Sequence, residues 1–256
     1  MKISIITVVY NSAATIEDTI MSVASQTYQD VEHIVVDGAS TDGTLSVIHR
    51  HMDKIKRFIS EPDKGIYDAM NKGIRLAGGD VIGFLNADDI YADNSVLEKV
   101  AGVFDDSAVD ACYADLVYVS KDDLNKVIRY WKSREYQEGL FRKGWMPAHP
   151  TFFVRKAVYD KYGGFDLDFK FQSDFDLTMR FLEVYKIKAV YIPEIFVKMR
   201  VGGATNRSPI NIIKGNIEAY RACKKNGLNV SLFFIVRKIL SRIPQFFSKH
   251  DIFPVT

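Results

Sequence analysis

Three polar side chains follow an apolar run in the stretch GFLNADDIYAD (83–93): Asn86, Asp88 and Asp89. Adjacent carboxylates repel each other and cost free energy to remove from water, so a pair ending a buried strand needs a stabilising partner. A hard cation such as Mg²⁺ or Mn²⁺ is one such partner, because it prefers carboxylate and phosphate oxygens. Taken alone, an acidic pair after a strand is more often a turn or a helix cap.

Polar residues also stand at the ends of the other apolar runs. The carboxyl ends of parallel strands share one edge of a sheet, and that edge is where open α/β proteins bind ligands. We therefore expect the following residues to cluster in space: Tyr10, Asn11, Asp37, Glu61, Asp63, Lys64, Asn86, Asp88 and Asp89.

The elements that must position these residues alternate along the first half of the chain. Residues 3–9, 33–38, 57–60 and 81–86 are short β-branched or apolar runs, and each precedes apolar residues at helical spacing. This alternation predicts an α/β fold with a mostly parallel sheet flanked by helices. The second half is less regular, with a strand at 110–120 that pairs as a hairpin with 126–131, and a strand and loop at 189–203.

Composition narrows the class of protein. The chain has 256 residues, of which 47% are hydrophobic and 26% charged, which suits one large domain or a domain with an appendage. A net charge of +2 gives no indication of nucleic-acid binding. Cys112 and Cys223 lack metal-ligand spacing and favour a reduced, cytoplasmic compartment, with one disulfide left open. The N-terminal apolar run reads as a buried strand rather than a signal peptide, and no run approaches the about 20 apolar residues of a membrane span.

The C-terminal tail predicts an amphipathic helix from residue 232, with Pro244 as a kink and Phe234 as the exception to the pattern. An anionic membrane surface, the catalytic domain itself or a second copy in a homodimer would each fit such a helix, and the membrane contact would use residues 231–249. Its apolar face comprises Leu232, Phe233, Ile235, Val236, Ile239, Leu240, Ile243, Phe246 and Phe247, and its polar face comprises Arg237, Lys238, Ser241, Arg242, Gln245 and Lys249.

Motifs of several enzyme classes are missing from the sequence: G-x-G-x-x-G after a strand, the P-loop, H-E-x-x-H and G-x-S-x-G. Five other stretches occur in order, namely TVVYNS, VVDGASTDGT, NKGIRLAGGDVIGFLNADD, GGFD and QSDFDL. Together they resemble the family 2 glycosyltransferases, which have the GT-A fold, over residues 1–205. The stretch IYDAMNKGI resembles a bacterial subgroup that builds exopolysaccharide and O-antigen units.

The resemblance implies an inverting transferase that uses a nucleoside-diphosphate sugar and a divalent metal. VVDGAS matches the family's VVDDGS, so Asp37 is expected to bind the N–H of the base, while Gly38 replaces the second aspartate. Two further groups of donor-binding residues carry over: Thr7, Tyr10 and Asn11 near the base, and Asp63, Lys64 and Asn71 in the segment that closes over the nucleotide.

NADD stands in the place of the family's D-x-D motif. Asp88 aligns with the metal ligand, Asn86 replaces the first aspartate as a ribose or water contact, and Asp89 is a supporting group. QSDFDL aligns with E-D-x-D-L, which implies that Asp174 is the base, with Ser173 in place of the usual glutamate. An acceptor hydroxyl needs such a carboxylate to take its proton. Without the resemblance, Asp174 reads better as a charge favoured by a helix dipole.

Four more residues are candidates for acceptor or diphosphate binding. His149 lies on a loop between two prolines, although a lone histidine is usually structural. Arg200 and Arg207 flank VGGATN, a loop that would fold over the diphosphate as a cationic lid. Trp145 would serve either as a stacking wall for a sugar or as a core residue.

The resemblance thus implies a hexosyl- or N-acetylhexosaminyl-transferase at the cytoplasmic face of a bacterial membrane. It would transfer the sugar of a UDP- or GDP-linked donor to a hydroxyl of a growing, lipid-linked cell-surface glycan. Residues 1–110 would bind the nucleotide sugar, 111–205 the acceptor, and 206–256 would form the tail. A sugar nucleotidyltransferase is one alternative, but its early glycine-rich basic loop is missing. A non-catalytic nucleotide-sugar or glycan-binding module is another, against which the intact Asp88 and Asp174 argue.

Overall fold

A nine-stranded mixed sheet forms the centre of the computed structural model, which describes residues 1–202, 209–231 and 233–240. The strands are β1 Ile3–Val9, β2 Val31–Asp37, β3 Arg57–Ser60, β4 Val81–Phe84, β5 Asp89–Tyr91, β6 Ala111–Val119, β7 Val127–Trp131, β8 Phe153–Arg155 and β9 Ala189–Arg200. Their order in the sheet is β3-β2-β1-β4-β8-β6-β9-β5, with β7 paired to β6.

The helices cover this sheet. They are α1 Ile16–Ala24, α2 Thr44–Arg50, α3 Ile66–Leu76, α4 Val96–Val103, α5 Lys156–Tyr162, α6 Ser173–Met179, α7 Pro209–Lys225 and α8 Phe233–Leu240. A π-turn at Arg180–Val184 continues α6, and short 3₁₀ turns lie at Met52–Lys54, Phe141–Lys143 and His149–Thr151.

The prediction of a mostly parallel sheet holds for the first half of the chain only. Parallel pairs join β1 to β2 and β4, and β2 to β3. Beyond β4 the pairing is antiparallel, from β4 to β8, β6 to β7 and β8, and β5 to β9, except for the parallel pair β6 with β9. The α/β class is therefore confirmed, and the second half corrects the sheet to a mixed one.

β1 shows why this sequence folds as a central strand. All seven of its residues are buried, and successive side chains point to opposite faces of the sheet. Ile6 and Val8 pack with Met70 of α3 on one face, whereas Ile3 and Ile5 join α4 on the other. Burying each such side chain stabilises the fold by roughly 1.5–3 kcal/mol.

Helix α3 lies very close to β1 because it carries a glycine at the contact. A Cβ at Gly73 would lie 2.4 Å from Cγ2 of Ile6, so no side chain fits at this position. This glycine therefore lets α3 pack directly against the middle of β1.

The C-terminal helices α7 and α8 pack against the segment that contains α6. Helix α8 binds through Phe234 and Lys238, which are 2% and 1% exposed, and this corrects the placement of Lys238 on an outer polar face. The apolar side chains Phe233, Val236 and Ile239 point outward instead. Of the predicted membrane segment, residues 232 and 241–249 lie outside the described residues. No helix in the described part of the chain is long and apolar enough to cross a membrane.

Candidate active site

A cleft of about 500 Å³ opens at the carboxyl ends of β1 and β4. A volume of this size suits a small-molecule or cofactor site. The cleft brings together six of the residues expected from the sequence: Tyr10, Asp63, Asn86, Asp88, His149 and Asp174. These residues come from five separate parts of the chain, and four of them, Tyr10, Asp63, Asn86 and Asp88, belong to the group expected to cluster at the strand ends.

The acidic turn after β4 separates its two carboxylates. Asp88 lines the cleft, whereas Asp89 opens β5 and is fully buried. Burial and the neighbouring Asp88 raise the pKa of Asp89 well above its usual range. Asn86 lines the cleft and donates from Nδ2 to Oδ2 of Asp89 at 3.0 Å. Asp89 therefore does not line the cleft; it lies beneath the turn, in the position of the supporting group expected from the sequence.

Arg200 holds the same turn and does not form a lid. It ends β9 and is 7% exposed, with its guanidinium donating to the backbone oxygen of Asp88 at 2.9 Å and to the carboxylate of Asp18. Its cation is therefore committed to protein oxygens at the end of β9, and residues 203–206 of the expected loop lie outside the described residues. Arg207 lies outside the described residues.

Of the three residues expected near the nucleotide base, one lines the cleft and two support it from within the protein. Tyr10 lines the cleft and is 63% exposed. Thr7 is fully buried within β1, where its hydroxyl lies 2.9 Å from Nε2 of His33, which corrects the expected contact with the base. Asn11 has a positive φ of 49° and accepts from the N–H of Thr41 at 2.8 Å, so its side chain braces the loop after β2.

Asp37 also supports the cleft from beneath, and Asp63 explains why glycine replaces the family's second aspartate at position 38. Asp37 is fully buried and accepts from the hydroxyl of Ser60 at 2.7 Å and the N–H of Ser40 at 3.0 Å, so it does not line the cleft as expected. A Cβ at Gly38 would lie 2.4 Å from Oδ2 of Asp63. The Asp63 carboxylate thus occupies the space that an aspartate at position 38 would need.

The segment expected to close over the nucleotide contributes one of its three predicted residues to the cleft. Asp63 lines the cleft and accepts from the N–H of Gly65 at 2.7 Å. Lys64 is exposed beside it. Asn71 is turned away, because its amide exchanges two hydrogen bonds of 2.9 Å with the backbone of Phe165, so it holds the Gly-Gly loop rather than a ligand.

Asp174 lies at the N-terminus of α6 and faces the cleft. Its Oδ1 accepts from the hydroxyl of Tyr67 at 3.1 Å and from the N–H of Phe175 at 2.8 Å. Both contacts are to one oxygen, which leaves Oδ2 available to accept a proton. Burial and the carboxylate of Asp174 raise the pKa of Tyr67 well above its usual range, so the phenol stays a hydrogen-bond donor.

The loop before Asp174 is held by both C-terminal helices. The carboxylate of Glu218 in α7 accepts from three consecutive backbone N–H groups, those of Lys170, Phe171 and Gln172, at 3.2, 2.7 and 3.1 Å. From α8, Nζ of Lys238 donates to Oε1 of Gln172 at 2.6 Å and lies 3.9 Å from the ring centroid of Phe175. These contacts fix the approach to α6 and explain why a lysine is buried.

His149 is buried in the wall of the cleft between the rings of Phe84 and Phe165. Burial lowers its pKa, with Asp174 acting weakly in the other direction, so the imidazole is neutral at neutral pH. Neither ring nitrogen has a hydrogen-bond partner among the residues that the structure describes. A buried unpaired imidazole at a cleft is a candidate ligand contact.

Trp145 does not line the cleft. Its indole packs within an aromatic cluster against Tyr113, Tyr136 and Phe141, with ring centroids 5.5–6.0 Å apart. Of the two roles left open for it, the structure supports the core role.

The comparison with known proteins decides the family. Residues 4–163 match the family model described as glycosyl transferase family 2. The chain belongs to this family. A PGL/p-HBAD biosynthesis glycosyltransferase of Mycobacterium bovis is 31% identical over 181 residues, which covers 69% of this chain and 68% of that protein.

Solved structures show the same fold for this family 2 glycosyltransferase. S. aureus TarS in complex with UDP-GlcNAc has a TM-score of 0.69 at 19% identity, covering 97% of this chain and 73% of that one. The mannosyltransferase PcManGT of Pyrobaculum calidifontis, in complex with GDP-Man and Mn²⁺, has a TM-score of 0.65 at 19% identity, covering 94% and 69%. In another TarS structure this chain spans 44% of that chain's length.

The side chains of this glycosyltransferase that could ligate a metal fit a divalent cation that also binds substrate oxygens. In the described residues no group of three or more His, Cys, Asp or Glu side chains forms a closed metal site. Asp88 faces the cleft, and the buried Oδ1 of Asn86 beside it has no hydrogen-bond partner. Mg²⁺ and Mn²⁺ sites of phosphate-transferring proteins use one or two carboxylates and complete the shell with phosphate oxygens and water.

Sequence reasoning missed several residues that line or support the cleft. Tyr67 was part of a quoted motif, yet its contact with Asp174 spans 107 positions. Glu218 carried no signal, because a single acidic residue on a helix is ordinarily solvated. The period of two in β7 could have placed Arg129 and Trp131 on one face with their cross-strand neighbour Tyr118. All three line the cleft.

Proposed function

We propose that this glycosyltransferase inverts the configuration of the transferred sugar, with Asp174 as the base. The observation that supports this most is the position of Asp174 in the same cleft as Asp88, with one oxygen fixed by Tyr67 and the other available. Inversion requires one carboxylate to take the proton of the acceptor hydroxyl as it attacks, and no covalent intermediate. Oδ2 of Asp174 would receive that proton.

The donor we propose is a UDP or GDP sugar bound with Mg²⁺ or Mn²⁺ at Asp88. Tyr10 and Asp63 would contact the nucleoside, and Asn86 and Asp88 the ribose and diphosphate side. The structural neighbours bind UDP-GlcNAc in one case and GDP-Man with Mn²⁺ in the other, which supports both nucleotides as candidates. A cation bound there would offset the charge that develops on the departing diphosphate.

His149 would complete the diphosphate or acceptor contacts. Its neutral imidazole has one N–H donor, and neither nitrogen is satisfied by the protein. A buried donor without a partner is costly, and a substrate oxygen in the cleft would satisfy it. In this proposal residues 1–110 hold the donor, 111–205 hold the acceptor and the base, and 206–256 form the tail.

The acceptor we propose is a growing, lipid-linked cell-surface glycan at an anionic membrane surface. Exposed apolar side chains repeat at helical spacing in α7, at Ile210, Ile213 and Ile217, and α8 adds Phe233 and Val236. Lys238 is buried, whereas the other basic residues of the two helices are exposed, namely Lys214, Arg221, Lys224, Lys225 and Arg237, against the single acidic residue Glu218. An exposed apolar stripe with basic neighbours has the chemistry of a peripheral membrane helix.

A panel of nucleotide sugars with Mg²⁺ or Mn²⁺ tests the reaction, read by release of nucleoside diphosphate. Slow hydrolysis of one UDP or GDP sugar without acceptor is expected, because the acceptor position then admits water. Release of pyrophosphate would indicate a nucleotidyltransferase. Release of neither, from folded protein that binds the nucleotide sugar, would indicate a binding module and contradict the proposal.

Flotation with vesicles tests the membrane contact. The variant Phe233→Ser, Val236→Ser and Ile239→Ser removes outward apolar groups of α8 while keeping the buried Phe234 and Lys238. We expect the parent to float with vesicles containing phosphatidylglycerol and the variant to stay behind. Met21→Ser with Met52→Ser, which removes exposed apolar groups elsewhere, is the control. Equal flotation of parent and variant, or a dimer broken by the variant in sedimentation, contradicts the membrane role.

A further inference from the structure

One wall of the cleft is formed by the β6–β7 hairpin. Tyr118 of β6 and Trp131 of β7 present near-parallel rings, with an interplanar angle of 4° and centroids 6.5 Å apart. The guanidinium carbon of Arg129 lies 4.6 Å from the centroid of Tyr118 and 5.7 Å from that of Trp131. All three side chains are partly exposed and line the same cleft as Asp174. We name these three residues the aromatic wall.

The hairpin is held rigidly from its other face. Asp115 is 1% exposed, and its carboxylate accepts from the N–H of Ser133 at 2.6 Å, from the hydroxyl of Tyr191 at 2.8 Å and from the hydroxyl of Tyr130. Three donors satisfy a carboxylate that would otherwise be costly to bury. The strand that carries Arg129 and Trp131 is thereby fixed to β6, so the aromatic wall is preorganised before any ligand binds.

The chemistry of the aromatic wall points to a sugar that carries a negative charge. The face of an aromatic ring is negative and attracts the partly positive C–H groups on one face of a pyranose. Arg129 adds a cation with a fixed planar fork, which suits phosphate or carboxylate. Lys170 lines the same cleft and adds a second positive charge.

We infer that the aromatic wall is the acceptor subsite, and that it binds a pyranose bearing a phosphate or carboxylate, with Trp131 beneath the ring and Arg129 at the anion. The inference rests on the proposed function, because it takes Asp174 as the base that meets the acceptor hydroxyl. Trp131 is the stacking ring because Arg129 covers it less than it covers Tyr118. The anion comes either from a sugar phosphate, as in a lipid-linked acceptor, or from an acidic sugar.

Tryptophan fluorescence gives a direct test, because the chain has only two tryptophans, Trp131 and Trp145. In a Trp145→Phe background, Trp131 is the sole reporter. The probes are octyl glucoside, glucose 1-phosphate and glucuronic acid, each added in the presence of the nucleotide identified by the donor panel and Mn²⁺. We expect a saturable change with at least one charged probe, at about tenfold lower concentration than with octyl glucoside. The phosphate and carboxylate probes separate the two sources of the anion.

Two substitutions separate the ring from the charge. Arg129→Gln should remove the advantage of the charged probe over octyl glucoside, whereas Lys132→Gln, which removes a charge from the exposed end of the same strand, should keep it. Trp131→Leu should raise the KM of the acceptor by about tenfold, and Trp131→Tyr should restore most of the loss. Circular dichroism checks that each variant folds.

The outcomes that overturn the subsite differ from those that overturn the proposed function. No saturable change in Trp131 fluorescence with any probe, or a loss confined to kcat with an unchanged acceptor KM, removes the subsite even when the protein hydrolyses its donor. Absence of donor hydrolysis and of nucleoside diphosphate release from the parent protein removes the transferase reaction itself.

Discussion

The two ends of the cleft are built in different ways. At the donor end, Tyr10, Asp63 and Asp88 each lie within a few residues of the strand that positions them. At the acceptor end, Asp174 is positioned by Tyr67, which is 107 residues away, and its loop by Lys238, which is 66 residues from Gln172. Each residue of the proposed donor end is therefore placed by a neighbouring strand, with Arg200 as a distant support of the acidic turn, whereas the proposed acceptor end depends on how distant elements pack.

This difference implies that single substitutions act differently at the two ends. The carboxylate of Asp88 can be removed with the surrounding turn intact, because Arg200 donates to the backbone oxygen of Asp88. At the acceptor end the same groups position the base and stabilise the fold, so activity and stability should change together.

The largest effect is expected at the base. Asp174→Asn should lower kcat for transfer by about 10³-fold, because the amide cannot take the proton of the acceptor hydroxyl, while the donor KM changes little. Asp168→Asn is the matched control, since Asp168 is an exposed aspartate of the loop before α6 whose carboxylate pairs with Lys225. Steady-state kinetics with the identified donor measure both variants. Full turnover by Asp174→Asn would remove Asp174 as the base.

A loss of about 10²-fold is expected from Asp88→Ala, through weaker binding of the cation and the diphosphate. Asp89→Asn should lose far less, because Asp89 is buried away from the cleft and its raised pKa already favours a neutral side chain. Calorimetric titration of the nucleoside diphosphate with and without Mn²⁺ gives a readout independent of turnover. Equal losses in the two variants would mean that the acidic turn acts as one unit.

The two buried histidines should make the free energy of unfolding depend on pH. Burial lowers the pKa of His33 to about 4. Its imidazole therefore stays neutral in the folded chain at pH values between 4 and 6.5, where it is protonated in the unfolded chain. The free energy of unfolding should therefore fall as the pH drops from 6.5 towards 4, by about 2–3 kcal/mol from His33. His149 shifts in the same direction.

Urea denaturation at several pH values measures this dependence. His33→Gln should flatten the curve without changing the KM for donor or acceptor, because His33 contacts Thr7 inside the sheet. His149→Gln should flatten it less and raise one of the two KM values. If neither variant alters the slope between pH 6.5 and 4, the acid sensitivity comes from other groups.

The smallest effect is expected at Glu218. Glu218→Ala leaves three backbone N–H groups of the loop before Asp174 without their acceptor, which should cost about 1–2 kcal/mol of stability and lower kcat severalfold. Glu218→Gln keeps an acceptor oxygen and should lose less on both counts. Paired measurements of unfolding and kcat check this. A loss of stability with unchanged kcat would show that the geometry of this loop does not determine the position of Asp174.

The comparison also shows what the sequence could predict. The β-branched run of β1 and the polar residues at the strand ends were sufficient to predict the α/β class and the position of the cleft. The burial of each residue was not predictable, because Thr7 and Asp89 belong to the same motifs as Tyr10 and Asp88 yet are fully buried, as is Asp37 in its own motif. Periodicity alone cannot distinguish a ligand contact from the residue that supports it.

The tail shows a second limit. Helical periodicity placed Lys238 on a solvated face, because a lysine is rarely buried. In the structure Lys238 is buried because its ammonium group binds the side chain of Gln172 and the ring of Phe175. Both residues lie more than 60 residues earlier in the sequence. Arg200 was misplaced for the same reason, since its partners Asp18 and Asp88 lie far away in sequence.

The first turn of α3 has a mechanical consequence. Asp63 lies three residues before α3, and Tyr67, which donates to Asp174, lies in its first turn. A displacement of this turn that lengthened the hydrogen bond of Tyr67 from 3.1 Å by half an ångström would break it. A movement of Asp63 on nucleotide binding would therefore reach the proposed base through a segment of four residues.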